Sequence, residues 1–228
     1  KTVFPMFSDT AYAAGVGGVI LKRTGAGWAS QASGVGATIN GIAFAPASGL
    51  VGWAVTSGGD ILYTNDGGAN WSTQESLGVT LNGLFVGDVD HAWVVGAGGL
   101  IYYTSNGGIN WNPQASGVAT DLYGINFHSD GISGWAVGDN TILQTVNGGG
   151  AWAPNTITNP TGLLSMSKLK MVGVVDSTTA STVGYSQSGT KTGGIIYNTT
   201  TSGATWNIAG STITRTYYDP KGMEVRPV

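Results

Sequence analysis

Five aspartates recur at similar places in successive stretches of this sequence, and they are the residues best suited to chemistry. They are Asp88, Asp90, Asp130, Asp176 and Asp219. Two carboxylates facing each other across a sugar could hydrolyse a glycosidic bond, and several together could hold a cation such as Ca²⁺. Aspartate also caps turns, and we expect that role for most of them. If any of them bind a metal ion, the candidates are Asp88, Asp90 and Asp130. We predict no catalytic residues and no cofactor.

Two histidines, His91 and His128, follow the first strand-like segment of neighbouring stretches. With nearby aspartates they could bind a metal ion, but single histidines beside turns are usually surface residues. No Ser–His–Asp spacing, phosphate-binding loop or dinucleotide fingerprint has the strand–helix context it requires, because no segment shows a helical period. The sequence therefore offers no strong enzymatic motif.

Aromatic side chains are the remaining candidates for binding a ligand. All eight tryptophans occupy two repeated positions, which predicts that they pack between structural repeats. A sugar-binding site would have to use tyrosines instead. The candidates are Tyr123, Tyr185, Tyr217 and Tyr218.

A repeated octet organises the elements that would position these residues. Thr64 to Trp71 reads Thr-Asn-Asp-Gly-Gly-Ala-Asn-Trp, and versions of it return at 104–111, 145–152 and 199–206. The Asp-Gly or Asn-Gly pair supplies the positive-φ residues of a tight hairpin turn, and the Trp opens the returning strand. The predicted structural residues of these turns are Thr64, Asp66, Gly68, Trp71, Thr104, Asn106, Gly108, Trp111, Thr145, Asn147, Gly149, Trp152, Thr201, Gly203 and Trp206.

Each octet closes a stretch that contains four strand signals. In one copy these are Ile39–Phe44, Gly52–Val55, Ile61–Tyr63 and a strand that opens at Trp71. The tryptophans at 28, 71, 111, 152 and 206 are 40 to 54 residues apart, the size of one four-stranded propeller blade. The sequence thus predicts an all-β, single-domain, five-bladed β-propeller. The approximate blades are 5–34 with 211–228, 36–78, 79–118, 119–159 and 160–210.

The two ends of the repeat array depart from this pattern. The first copy has a shorter turn without the acidic residue of the octet, and its sequence shows no signal for a first strand. We therefore expect the C-terminal tail at 211–228 to supply that strand and close the ring. The last copy is longer, which predicts a protruding loop around 176–193. A loop lengthened in only one blade is a reasonable place for function.

The octet closely resembles the Asp-box, or BNR repeat, of sialidases and sortilin-type receptors. The pattern at Gly134–Gly138, Thr141–Leu143 and Thr145–Trp152 most resembles the photosystem II assembly-factor-like repeat family. This resemblance implies a β-propeller in which the box is a structural clasp. The assembly factors themselves have seven blades and a basic patch, so a photosynthetic role is not expected. A sialidase resemblance would imply three arginines around a carboxylate and six blades. Of Arg23, Arg215 and Arg226, one lies in a degenerate turn and another near the chain end, and only five blades are predicted, so sialidase chemistry is disfavoured.

Composition narrows the class of protein further. The 228 residues carry a net charge of −3, 39 glycines and no cysteine, and only 9% are charged. The absence of cysteine excludes disulfides and thiolate chemistry. The net negative charge gives no basic surface of the kind that binds nucleic acid. No apolar run is long enough for membrane insertion. A polar surface poor in Lys and Glu indicates an extracellular or cell-surface protein.

We therefore expect a non-catalytic module that binds a protein partner or serves in assembly. Low charge and many small polar residues also fit a self-assembling structural subunit that packs against copies of itself in a surface layer or filament. A five-bladed lectin that binds a glycan is a third hypothesis, and a glycosidase is the fourth.

Overall fold

The computed structural model describes residues 2–7, 9–157, 166–188 and 191–208, and it is an all-β fold. Its strands form five four-stranded antiparallel sheets, each built from four consecutive strands. These sheets are the blades of a five-bladed β-propeller, as the repeats predict. The described helices are two three-residue 3₁₀ turns, Val16–Gly18 and Ala97–Gly99. Among the described residues no helix is both long and apolar enough to cross a membrane.

The strands are numbered in chain order. Blade 1 contains β1 Thr2–Phe7, β2 Thr10–Ala14, β3 Ile20–Thr24 and β4 Gly27–Gln31. Blade 2 contains β5 Ile39–Phe44, β6 Gly52–Thr56, β7 Asp60–Thr64 and β8 Ser72–Ser76. Blade 3 contains β9 Leu81–Val86, β10 Ala92–Gly96, β11 Ile101–Thr104 and β12 Asn112–Gln114. Blade 4 contains β13 Leu122–Phe127, β14 Gly134–Gly138, β15 Thr141–Thr145 and β16 Ala153–Pro154. Blade 5 contains β17 Met166–Val174, β18 Ala180–Ser188, β19 Lys191–Thr199 and β20 Asn207–Ile208.

The chain divides into two compact units, Lys1–Ala119 and Thr120–Val228. Blades 1 to 3 belong to the first unit, and blades 4 and 5 belong to the second. In the first unit, the aromatic rings of Tyr12 and Phe44 stack with centroids 4.2 Å apart and join blades 1 and 2. In the second, Trp135 of blade 4 packs in one core with Tyr197 and Trp206 of blade 5. Each pair of blades is thus joined by aromatic and aliphatic burial.

Apolar second strands form the centre of the middle blades. In β6, β10 and β14 all five residues are buried, which requires cover on both sides of the sheet. Their Gly-Trp-Ala-Val or Ala-Trp-Val-Val sequences provide that continuous apolar run. The third strands are less completely buried, with buried Ile61 and Leu62 beside half-buried Tyr63 in β7.

A β-bulge recurs at the same repeat position in the first strand of blades 2 to 5. In blade 2, for example, Ile39 and Gly41 pair with the consecutive residues Thr56 and Val55, which leaves Asn40 between them unpaired in the ladder. The other three blades show the same arrangement. The bulged residues are Asn40, Asn82, Tyr123 and Lys170. A bulge re-aims its side chain, and Asn40 uses this freedom to donate to Leu81 O of the next blade at 2.8 Å.

The structure corrects our prediction for the first blade. Strand β1, which comes from the N-terminal residues, lies antiparallel to β2, with Val3 opposite Ala13. The place that we assigned to residues 211–228 is therefore held by Thr2–Phe7 of the same blade. The sequence signal was missed because Pro5 interrupts an otherwise apolar run, and proline is tolerated in a strand where it costs no ladder hydrogen bond. The tail itself lies outside the described residues.

The structure also corrects our prediction for the longest repeat. Its extra residues lengthen β17, β18 and β19 to nine residues each instead of forming a loop around 176–193. At one end of this ladder the chain reverses in a tight turn, where Val175 N–H donates to Thr179 O at 2.9 Å. Ser and Thr alternating with apolar residues over 180–188 suit a strand as well as a loop, and composition alone could not separate the two.

Trp28 differs from the other tryptophans. We predicted that all eight pack between blades, but Trp28 is 51% exposed in β4, while the other seven are buried or half-buried. Its turn consists of Gly25 and Ala26 and lacks the Gly pair of the octet. The prediction of packing was wrong for this residue.

Candidate functional site

The octet turn is held together by side-chain hydrogen bonds to its own backbone. Thr64 Oγ1 accepts from Gly68 N–H at 2.9 Å and donates to Asp66 Oδ1 at 2.8 Å. Asp66 Oδ1 also accepts from Asn70 N–H at 3.0 Å. These bonds, above all the one from the Asn70 N–H, lower the pKa of Asp66 to about 2. The carboxylate therefore stays ionised at neutral pH and clasps both sides of the turn.

Three further turns share this geometry with different side chains. The Thr hydroxyl accepts from the Gly108 and Gly149 N–H groups at 2.8 Å each and from the Gly203 N–H at 3.1 Å. Asn106 and Asn147 replace the aspartate, and Thr201 does so in the last turn, where its Oγ1 accepts from Thr205 N–H at 3.2 Å. An acid is thus unnecessary, since an uncharged oxygen supplies the acceptor.

Each octet turn is tied to the link between the first and second strands of its blade. The first residue of the Gly-Gly pair, or its equivalent, supplies a backbone N–H that donates to a carbonyl of that link. The bonds run from Gly67 to Leu50, Gly107 to Asp90, Gly148 to Ile132 and Ser202 to Thr178, at 2.9 to 3.1 Å. The turn and the link therefore lie at one end of each blade, which we call the turn end.

Aspartates at the turn end cap the links. Asp88 Oδ1 accepts from the N–H groups of Asp90 and His91, at 2.8 Å each. Its carboxylate also lies 2.8 Å from His91 Nδ1. Although burial opposes ionisation, these hydrogen bonds lower the pKa of Asp88.

Asp130 and Asp176 repeat this arrangement in the second unit. Asp130 accepts from the N–H groups of Ile132 and Ser133, and its Oδ2 lies 3.1 Å from His128 Nδ1. Burial opposes the ionisation of Asp130, but these bonds lower its pKa to about 2. Hydrogen bonds from the side chain and N–H of Thr178 lower the pKa of Asp176 to about 2 as well. Within the described residues, no three metal-binding side chains come together around these carboxylates.

Exposed aliphatic side chains also lie at the turn end of both units. Leu50, Val89 and Ile109 of the first unit are 55%, 40% and 81% exposed. Ile132, Val146 and Val175 of the second unit are 51%, 66% and 70% exposed. We call these two sets of three residues the aliphatic rim of each unit. Large apolar groups repeated in solvent indicate a contact surface more than scattered ones do.

A second group of side chains lies where blades 4 and 5 meet, at the opposite end of the second unit. The ammonium of Lys170 is 3.3 Å from the ring centroid of Tyr123 and 5.9 Å from that of Tyr185. Lys168 Nζ donates to the Tyr123 hydroxyl at 3.2 Å and lies 3.4 Å from Asp139 Oδ1. We call these five residues the tyrosine–lysine cluster.

Two bulges build this cluster. Tyr123 and Lys170 are the bulged residues of β13 and β17, and the first strands of blades 4 and 5 lie side by side. Gly124 permits this approach, since a Cβ there would lie 2.9 Å from Lys170 O. Lys168 is placed by a bridge between its own backbone and that of Asp139, and it lies opposite Tyr185 in the β17–β18 ladder.

In this cluster the charge of Lys168 is more fully neutralised than the charge of Lys170. The hydrogen bond with Tyr123 and the charge of Asp139 raise the pKa of Lys168. Burial and the positive charge of Lys168 lower the pKa of Lys170. Among the described residues, the ion pairs involve His91, His128 and Lys168, and none includes Lys170. Lys170 is an exposed residue, but its ammonium lies against the Tyr123 ring and is partly shielded from water there, which is why burial affects its pKa.

The structure thus brings together two of the four candidate tyrosines, Tyr123 and Tyr185. Tyr217, Tyr218 and Asp219 lie outside the described residues. Sequence analysis missed Lys168 and Lys170. A signal was present, because Leu169-Lys170-Met171 occupies the position of Ile39-Asn40-Gly41 and Leu122-Tyr123-Gly124 in the repeat.

In sequence comparisons, no protein-family model and no curated protein matches the chain. Solved structures match the fold. One titled "YCF48 bound to D1 peptide" is 16% identical with a TM-score of 0.59, covering 91% of this chain and 79% of that one. YCF48 from Cyanidioschyzon merolae is 17% identical with a TM-score of 0.57, covering 91% and 83%.

An ancestral GH74 enzyme is also similar in structure. It is 15% identical with a TM-score of 0.72, and the match covers 91% of this chain but 30% of the enzyme. Identities this low show a shared β-propeller fold. The similar structures include both an enzyme and a peptide-bound protein. The function of this chain must therefore be argued from its own residues.

Proposed function

We propose that this chain is a non-catalytic binding module that holds a segment of a protein partner at the tyrosine–lysine cluster. The observation that carries the proposal is the ammonium of the exposed residue Lys170, which is held 3.3 Å from the centre of the Tyr123 ring and outside the described ion pairs. A partner carboxylate would neutralise this charge, and the tyrosine rings would add apolar contact.

The chemistry of the cluster favours binding over catalysis. Its carboxylate, Asp139, is already engaged by Lys168 and by the Tyr123 hydroxyl at 3.2 Å. The turn-end aspartates are capped by backbone N–H groups, as described above. A carboxylate pair poised for glycoside hydrolysis would instead face an open cleft. One structurally similar protein holds a peptide, which supports the capacity of this fold for such a ligand.

We also propose that the protein works outside the cytoplasm or at the cell surface. The support is compositional: 9% charged residues and 39 glycines with abundant Ser, Thr and Asn. A carboxylate-binding cluster serves equally well in a stable assembly or in transient recognition. Self-assembly, glycan binding and glycosidase activity are the competing functions that the experiment must separate.

Selection from a displayed library of random peptides tests this proposal. We expect the full chain to enrich peptides that carry Asp or Glu beside apolar residues. The variant Lys170→Met should lose this enrichment, because it removes the charge and keeps much of the side chain. Lys22→Met is the matched control, since Lys22 also lies over a tyrosine ring, at 5.6 Å from the Tyr12 centroid.

Three results would contradict the proposal. Enrichment that is the same for the wild type and Lys170→Met would remove the cluster from the binding site. Binding to a glycan array without any peptide enrichment would indicate a lectin instead. Turnover of a polysaccharide by the purified chain would contradict the non-catalytic assignment.

A further inference from the structure

We propose that the aliphatic rim of each unit is a protein-binding surface, distinct from the tyrosine–lysine cluster, whose partner is a basic segment with apolar side chains. The first observation is the recurrence of one exposed aliphatic residue in the first link of four consecutive blades. These residues are Leu50, Val89, Ile132 and Val175.

The octet turns extend the same surface. Ile109 and Val146 lie in the octet turns of blades 3 and 4 and are 81% and 66% exposed. Each turn is fixed against its link by the backbone bond described above, so these side chains are held on a defined scaffold. At Gly67 an added Cβ would lie 3.6 Å from Leu50 Cδ2, which places the leucine directly against the turn. A rigid apolar surface loses little conformational entropy when a partner binds.

Charge identifies the kind of partner. In the first unit, the aliphatic rim is accompanied by Asp66, Asp88 and Asp90 in the same turns and links. Lys22 also reaches this end, but its ammonium donates to Gly67 O at 2.8 Å. The surface is therefore apolar with an excess of carboxylates, and it is complementary to Lys or Arg beside Leu, Ile or Val.

The second unit shows the same combination. Asp130 and Asp176 flank Ile132 and Val175 along the chain. The side chains of both aspartates accept hydrogen bonds that stabilise their charged form, so the negative charge persists at any physiological pH.

Two other occupants fit this surface poorly. A second copy that presented its own rim would bring carboxylates against carboxylates, which is unfavourable. An anionic lipid surface would meet the same repulsion. A basic protein segment satisfies both the aliphatic groups and the carboxylates.

Fluorescence anisotropy with a labelled synthetic peptide built from Lys and Leu tests this inference on the full chain. We expect saturable binding by the wild type that weakens about threefold or more when the salt is raised towards 1 M. Replacing all six rim residues by Ser should weaken binding at least about tenfold. A matched control replaces six exposed apolar residues that lie elsewhere, namely Val3, Val16, Val19, Val79, Met171 and Val183.

The control variant should bind within about twofold of the wild type. Equal weakening in the rim and control variants would overturn the inference, as would tight binding of a peptide in which Glu replaces Lys. A wild-type particle whose mass is a multiple of the chain, reduced to one chain by the rim substitutions, would assign the surface to a second copy. Binding of the rim to vesicles of anionic lipid would also overturn it. Lys170→Met should leave this binding unchanged, which separates the rim from the proposed function of the cluster.

Discussion

Removing one buried hydroxyl from an octet turn should destabilise the protein by a predictable amount. Thr104 is fully buried, and its Oγ1 accepts from Gly108 N–H at 2.8 Å and donates to Asn106 Oδ1 at 3.0 Å. Thr104→Val keeps the shape and removes both bonds. The Gly108 N–H is then buried without an acceptor, which costs about 1–3 kcal/mol. We expect a loss near 2 kcal/mol, or roughly 4–8 °C in Tm for a chain of this size.

The degenerate first blade provides the matched control. Thr24 ends β3 as Thr104 ends β11, but it is exposed in a turn without the Gly pair. Thr24→Val should change the free energy of unfolding by less than about 0.5 kcal/mol. Urea unfolding measures both variants, and amide exchange at Gly108 reports the lost bond directly. If the two variants are equally stable, or if Gly108 stays protected in Thr104→Val, the clasp does not stabilise the blade as argued.

Three other predictions follow from burial and charge. Asp66 has a folded pKa of about 2 against an ordinary value of 3.8, so its contribution to stability is present above about pH 4 and is lost as the pH falls towards 2. Asp66→Asn should remove part of that acid dependence in urea titrations and change little at neutral pH. Trp152→Ala should lower the free energy of unfolding by about 3–5 kcal/mol, because Trp152 is only 8% exposed. Trp28→Ala should lower it by about 1 kcal/mol or less, because Trp28 is 51% exposed. Equal shifts in Tm for the two variants would refute this contrast. Gly138→Ala should destabilise the second unit because a Cβ there would overlap Asp121 O, whereas Gly194→Ala, with open space around it, should be tolerated in the same thermal assay.

The strand pattern of the blades was predictable from sequence because each signal repeats. Ile39–Phe44 and Leu122–Phe127 are strands with the predicted bounds, and the Gly-Trp-Ala-Val segments are the buried second strands. Repetition averages out the ambiguity of any single apolar run. Where it failed, the repeat was degraded, as in β1 with its proline and in the long strands of blade 5.

The candidate site was only partly predictable. Tyr123 and Tyr185 were chosen as aromatic residues without a packing role, and the structure does bring both near Lys170. The lysines could not be inferred in the same way, because their proximity depends on two bulges and on the pairing of Asp139 with Lys168 between blades. Such contacts are set by tertiary packing, which a single sequence does not encode in local spacing.

The aliphatic rim illustrates the same limit. Each of its residues lies in a turn or link, where an isolated apolar side chain is unremarkable in a sequence. The backbone bonds between Gly67 and Leu50, and their equivalents in the other blades, hold turns and links together at one end of each blade. The structure thus converts scattered residues into a surface.

Mapping of the binding site by NMR would show whether the tyrosine–lysine cluster binds a protein segment. A peptide selected by the wild-type chain would be titrated into labelled protein. We expect the largest amide shifts at Gly124, Lys170 and Met171, with little change at Gly67, and loss of these shifts in Lys170→Met. Shifts confined to residues remote from the cluster, or unchanged shifts in Lys170→Met, would contradict the claim.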